Sequence, residues 1–222
     1  VFGVEALLRW PHEIYGRISP PVIIKIAEEA GIINDLGKWI IARACRQLGV
    51  WKQAGLDNVR MSINVSVLQV QSGWLADDIH KAMQANKLLP GDVEVEITED
   101  MALNLNARTT AILERIREIG ARIAIDDFGT GHSSLQYIKT SAIDTLKIDR
   151  LLSHDVAEDK GSQEIIASIV SLCSSMNIEV TAEYVETEAQ RRKLEQLGCN
   201  QYQGYLYSPA LAPTEAENYI RR

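Results

Sequence analysis

Adjacent carboxylates at Asp126 and Asp127 follow the apolar run Ile123-Ala124-Ile125 and precede Phe128-Gly129-Thr130-Gly131. A strand that ends in two acids before a glycine-rich loop sets like charges against each other, and a cation between them relieves the repulsion. A divalent metal ion is the first expectation. Taken alone, the pair is explained equally well by a turn or helix cap at Asp127, with Asp126 solvated.

Other residues decide the matter. Glu5, Asn64, Glu96 and Glu183 also sit at or near the ends of strand-like segments, so with the pair they make six oxygen ligands, five of them carboxylates. Hard oxygen donors without thiolate or imidazole favour Mg²⁺ or Mn²⁺ over zinc or copper. Five acids exceed the need of one ion and suit a two-metal site with Asp126 as the bridge. Lys147 is expected as the inward cation, either as a salt bridge that offsets the acids or as a group that orients a nucleophile. Arg9, four residues after Glu5, reaches toward a phosphate or base edge or is simply solvated. Oxygen-ligated metals beside a cation point to phosphoester hydrolysis.

The elements that must position these groups read as alternating strands and helices, the pattern of parallel βα units. Strands are expected over Gly3–Arg9, Arg60–Ser66, Val93–Thr98, Arg122–Phe128, Thr145–Asp149, Ile178–Val185 and Tyr202–Tyr207. The clearest amphipathic helices are Leu36–Ala54, Leu75–Ala85, Ala107–Ile119, Glu164–Met176 and Glu188–Leu197. Successive strand residues point to opposite faces. Val93, Val95 and Ile97 then pack against helices, while Glu94, Glu96 and Thr98 point inward. The same parity turns Ser62, Asn64, Asp126, Lys147, Asp149, Thr181, Glu183, Gln201 and Gln203 inward. Polar groups converge on the strand ends where α/β barrels hold their chemistry. A closed barrel of this type needs eight strands, so either the eighth lies upstream of Val1 or the barrel closes in an unusual way.

Composition sets outer limits. The 222 residues carry 23 basic and 30 acidic side chains, a net charge of −7, with 46% hydrophobic content and no basic tract to serve as a footprint for duplex nucleic acid. One domain spanning 1–222, without membrane contact of its own, is the expectation. Cys45, Cys173 and Cys199 lack metal-ligand spacing and suit a reducing, cytoplasmic compartment. The four histidines are scattered, without the H-x-H or H-E-x-x-H pattern of an imidazole zinc site.

Several motifs in order carry a family resemblance: Glu5-Ala6-Leu7 with Leu8-Arg9-Trp10, Asn64-Val65-Ser66, Glu96-Ile97-Thr98-Glu99, Asp126 to Gly131, Leu146-Lys147-Ile148-Asp149, Ala182-Glu183 with Val185-Glu186-Thr187, and Gln203-Gly204-Tyr205. The chain resembles EAL-domain cyclic di-GMP phosphodiesterases over essentially its whole length. That resemblance implies a TIM-like (β/α)8 barrel whose first, antiparallel strand lies before Val1. It implies Mg²⁺ or Mn²⁺, with Glu5, Asn64, Glu96 and Asp126 at one ion and Asp126, Asp127 and Glu183 at a second.

The resemblance further implies that Lys147 positions the attacking water, and that Leu7 (through its backbone), Arg9, Asp149, Gln203 and Glu186 line the dinucleotide site. Glu99 would anchor the loop after the aspartate pair. The implied reaction opens cyclic di-GMP to linear pGpG, and the alternative is a receptor that binds the dinucleotide without cleaving it. A homodimer contact near that loop, and an upstream sensor or membrane anchor in a longer protein, belong to the same expectation. Two positions depart from the family pattern. His132 stands where Tyr or Phe is usual, and Tyr184 stands where Gly is usual, with its side chain expected toward the helical shell.

Overall fold

The structure is a computed structural model that describes residues 1–130 and 143–222. In chain order the elements are β1 (Gly3–Ala6), β2 (Trp10–His12), β3 (Gly16–Ile18), α1 (Pro20–Glu29), α2 (Ile33–Gln53), β4 (Arg60–Asn64), α3 (Val67–Ser72), α4 (Leu75–Ala85) and β5 (Val93–Thr98). They continue with α5 (Glu99–Leu103), α6 (Ala107–Glu118), β6 (Arg122–Phe128), β7 (Thr145–Ile148), α7 (Arg150–Ser153), α8 (Lys160–Ser175), β8 (Glu179–Ala182), α9 (Glu188–Gln196), β9 (Gln201–Tyr202) and α10 (Pro213–Ile220). The chain forms two compact units. The first holds Val1–Val95, Asn106–Ala121 and Ala212–Arg222, and the second Glu96–Leu105 and Arg122–Leu211.

In the first unit β1 pairs in parallel with β4, Glu5 opposite Ser62 and Ala6 opposite Ile63. β1 stops at Ala6 rather than Arg9, because the chain turns into the antiparallel hairpin β2–β3. Helix α2 buries Ile33, Ile41, Ala44, Cys45, Leu48 and Trp51 along one stripe and packs against α4 and β4. Gly37 on that helix is a matter of space, since a Cβ there would collide with the Gln69 side chain. Gln69 closes a capping box with Ser66: its Oε1 accepts from Ser66 N at 2.9 Å, while its own N–H donates to Ser66 Oγ at 3.4 Å. The chain just beyond Asn64 is thereby fixed.

In the second unit β6, β7, β8 and β9 follow one another in parallel. All four residues of β7 are buried, as are Ile123, Ala124 and Ile125 of β6, the signature of strands covered on both faces. Helix α8 contributes Ile166, Ile169 and Cys173 to that core, and α9 contributes Leu194. No described helix is long and apolar enough to cross a membrane.

Like β1, β4 at Asn64 and β7 at Ile148 stop short of the expected bounds, and two more expected strands end early for local reasons. The Ile178–Val185 segment is strand only to Ala182, since Tyr184 adopts a left-handed backbone with φ 53°. Tyr202–Tyr207 keeps only Gln201–Tyr202 as strand. The chain then folds back, with Val185 N donating to Gln203 O at 3.0 Å and Leu206 N to Val185 O at 3.0 Å. Gly204 permits this, because a Cβ on it would run into the Val185 backbone. Replacing Gly204 with Ala is expected to lower stability by about 1–3 kcal/mol through overpacking. Urea unfolding would register it as a lower midpoint at unchanged slope, and an unchanged midpoint would refute the account of this contact.

Candidate active site

Lys147, 3% exposed, extends from the buried β7. Its Nζ lies 2.9 Å from Glu96 Oε1, 3.2 Å from Asp126 Oδ1 and 2.9 Å from Glu183 Oε1. Strand parity anticipates this convergence, since Glu96, Asp126, Lys147 and Glu183 all have the inward phase of their strands. In a poorly solvated setting three carboxylates around one ammonium are over-compensated, and a fourth acid stands nearby.

That fourth acid is Asp127, and parity alone does not bring it here. Adjacent residues of a regular strand point apart. The pairing of β6 with β7 instead shifts register between Ile125 and Phe128, and Asp127 takes a left-handed φ of 57°. A β-bulge of this kind re-aims a side chain. Ligand atoms of Asp126, Asp127 and Glu183 consequently come within 4.8 Å of one another, so the cluster can hold a metal ion. Counting Glu96, Asp126, Asp127 and Glu183 against Lys147 leaves four negative charges and one positive, a deficit of three that a divalent cation reduces. The donors are all hard oxygens, which fits magnesium-like or manganese-like ions.

Backbone anchors hold this arrangement. Ser153 Oγ donates to Glu183 O at 2.6 Å, and Glu183 N donates to Ile148 O at 3.0 Å. Buried Gln190 takes the N–H groups of Glu186 and Thr187, both at 2.8 Å, and donates to His154 O at 2.9 Å. Glu99, 1% exposed at the start of α5, accepts the Gly129 N–H at 2.9 Å, so the chain leaving the aspartate pair is tied at its first glycine. Asp149 caps α7 by accepting from Leu151 N at 2.9 Å.

Toward the starts of the same strands lies a second polar group. Arg122 Nη2 pairs with Glu179 Oε2 at 2.9 Å and donates to Thr145 Oγ1 at 3.2 Å, Gln201 Nε2 donates to Glu179 Oε2 at 3.1 Å, and Thr181 Oγ1 donates to Gln201 Oε1 at 3.0 Å. The parity that marks Thr181 and Gln201 also marks Arg122 and Glu179. Lys147 is therefore not the sole inward cation of this sheet.

In the first unit Asn64 Nδ2 donates to Glu5 Oε1 at 2.6 Å, and Ser62 and Arg60 hold Glu94, each at 3.2 Å. Leu7 and Arg9 are exposed, and the Arg9 guanidinium donates to Leu8 O at 2.9 Å. In the second unit Glu186 is exposed and Gln203 is half-buried, its N–H donating to Ala182 O at 2.8 Å. His132, and the dimer contact expected near it, lie outside the described residues.

Tyr184 departs from expectation. Its side chain is 45% exposed, unlike the buried Ala182 and Val185 beside it. Its phenol is held above the ordinary tyrosine range, first by desolvation and then by the negative fields of Glu183, Asp149, Asp127 and Asp126. The left-handed backbone, which costs a non-glycine residue roughly 1–3 kcal/mol, turns it away from the helical shell. Thiol chemistry has no foothold, since burial pushes Cys45 and Cys199 up to about 12 and Cys173 up to about 11.

Against this geometry, the sequence pattern described as EAL domain matches residues 1–210. The chain belongs to the EAL domain family. It is 40% identical over 206 residues to the bifunctional diguanylate cyclase/cyclic di-GMP phosphodiesterase MucR of Pseudomonas aeruginosa, covering 93% of this chain and 30% of that protein. The cyclic di-GMP phosphodiesterase NbdA of the same organism is 35% identical over 221 residues, covering 100% of this chain and 28% of its own length. The chain thus spans less than a third of these relatives. A solved MucR phosphodiesterase in complex with c-di-GMP superposes with a TM-score of 0.90 at 38% identity, covering 97% of this chain and 87% of that one. The fold is accordingly of the EAL type, a (β/α)8-like barrel architecture.

In this EAL domain the Lys147 ammonium is the counterion that allows its acids to be buried. Lys147→Met is expected to destabilise the metal-free protein by about 3–5 kcal/mol, because it leaves uncompensated carboxylates. Added Mn²⁺ should recover part of the loss in a chemical-denaturation series. A metal-free variant as stable as the wild type would contradict the assignment.

Proposed function

We propose that this EAL domain is a divalent-metal-dependent phosphodiesterase that opens cyclic di-GMP to linear pGpG. The observation that carries the reading is the Lys147-centred cluster, in which Asp126, Asp127 and Glu183 bring ligand atoms within 4.8 Å. Family membership supplies the substrate class, since MucR and NbdA are named as cyclic di-GMP phosphodiesterases.

Two ions, Mg²⁺ or Mn²⁺, are proposed. Glu5, Asn64, Glu96 and Asp126 are assigned to one, and Asp126, Asp127 and Glu183 to the other. Bound there, such ions supply positive charge and Lewis acidity at the scissile phosphodiester. The chain's own groups do the rest. Lys147 Nζ, held within 3.2 Å of Glu96, Asp126 and Glu183, orients the attacking water and stabilises charge that develops on the phosphoryl oxygens. The water oxygen bonds to phosphorus as the bond from phosphorus to O3′ breaks, leaving a 5′-phosphate and a free 3′-hydroxyl.

The dinucleotide is assigned to Arg9, Asp149, Glu186, Gln203 and the Leu7 backbone. Arg9 gives a charged fork suited to phosphate or a guanine edge. Glu99 keeps the Gly129 end of the loop in register with the aspartate pair. Purified protein with cyclic di-GMP and Mg²⁺ or Mn²⁺ should yield pGpG by chromatography. Chelation should stop turnover, and Asp126→Asn or Glu5→Ala should reduce it by at least about a hundredfold, the scale of a lost charge-stabilising group. Tight binding of cyclic di-GMP without pGpG formation would favour a receptor instead.

A further inference from the structure

We infer that Tyr184 is a substrate-contacting residue at the lip of the carboxylate cluster, its ring packing against one purine base of the bound dinucleotide. The inference rests on the cyclic di-GMP reading above and names a contact that reading does not include.

Three observations support it. The first is backbone: Tyr184 keeps a left-handed φ of 53° directly after the cluster acid Glu183, a conformation that disfavours any side chain. Strain of this sort persists where surrounding structure enforces it and is concentrated at ligand sites. Here the enforcement is visible, because both neighbours are pinned: Ser153 Oγ holds Glu183 O at 2.6 Å, and Val185 N donates to Gln203 O at 3.0 Å.

Exposure is the second. A large aromatic ring on a strand end would normally be covered by the helices, as Val185 is at 0% exposure, yet Tyr184 stays 45% exposed. The third is position, since the ring is carried by the residue next to Glu183, whose carboxylate lies with those of Asp126 and Asp127. A flat, partly solvated ring beside a site for phosphodiester chemistry offers what a nucleobase uses, a π-face for stacking.

Calorimetric titration of cyclic di-GMP into the chain tests this, with chelator present so that no turnover intervenes. Tyr184→Gly relieves the backbone strain and is expected to fold at least as well as the wild type, which a thermal melt checks. It should weaken binding by about tenfold, the low end of base stacking, whereas Tyr184→Phe, which keeps the ring, should stay within about twofold. Equal affinity of Tyr184→Gly and the wild type would overturn the inference, as would a Phe variant as weak as the Gly variant. Ring-dependent binding in a protein that makes no pGpG with Mg²⁺ or Mn²⁺ would uphold the contact while refuting the catalytic reading. A wild type that neither binds cyclic di-GMP in this titration nor makes pGpG with Mg²⁺ or Mn²⁺ would overturn both.

Discussion

One buried ammonium organises the second unit. Lys147 is 3% exposed and holds Glu96, Asp126 and Glu183 within 3.2 Å. Isolated in an apolar interior, any of these acids would be driven to its neutral form. With the lysine among them the formal count is one positive charge against four negative ones, which leaves the cluster short of balance. The interior is thus stable enough to fold and charged enough to recruit a cation, and the same groups serve both ends.

Much of the surrounding structure keeps that balance in place. The parallel strands β6 to β9 deliver side chains of one phase to a common side, while their other phase is buried under α8 and α9. Below the cluster, Arg122 pairs with Glu179 and donates to Thr145, and Gln201 donates to Glu179, so the polar interior continues as a bonded network. Above it, Glu99, Ser153 and Gln190 fix the segments that carry the acids by holding backbone N–H and C=O groups.

The legible and illegible parts of the sequence divide along a physical line. Period-2 alternation identifies Glu96, Asp126, Lys147 and Glu183 as one face, because it holds wherever a strand is regular. It fails where the backbone is irregular. Residue type and adjacency mark Asp127 as a ligand, but parity points it away from Asp126 until the bulge between Ile125 and Phe128 brings it to the cluster, and Tyr184 reads as a shell residue until its left-handed φ turns it outward. The strand expected over Tyr202–Tyr207 fails for a related reason, since the close approach of Gly204 to Val185 depends on a partner far away in sequence. The short helices α3, α5 and α7 leave no trace in hydrophobic periodicity, because each rests on its N-cap, at Ser66, Thr98 or Asp149, rather than on an amphipathic stripe.

A divalent cation is proposed to complete the cluster at Lys147. A Mn²⁺ titration followed by the loss of the free-ion electron paramagnetic resonance signal measures this directly, on the wild type and on Asp127→Asn. Saturable binding that weakens in the variant is the predicted result. Absence of saturable binding, or binding indifferent to Asp127, would contradict it.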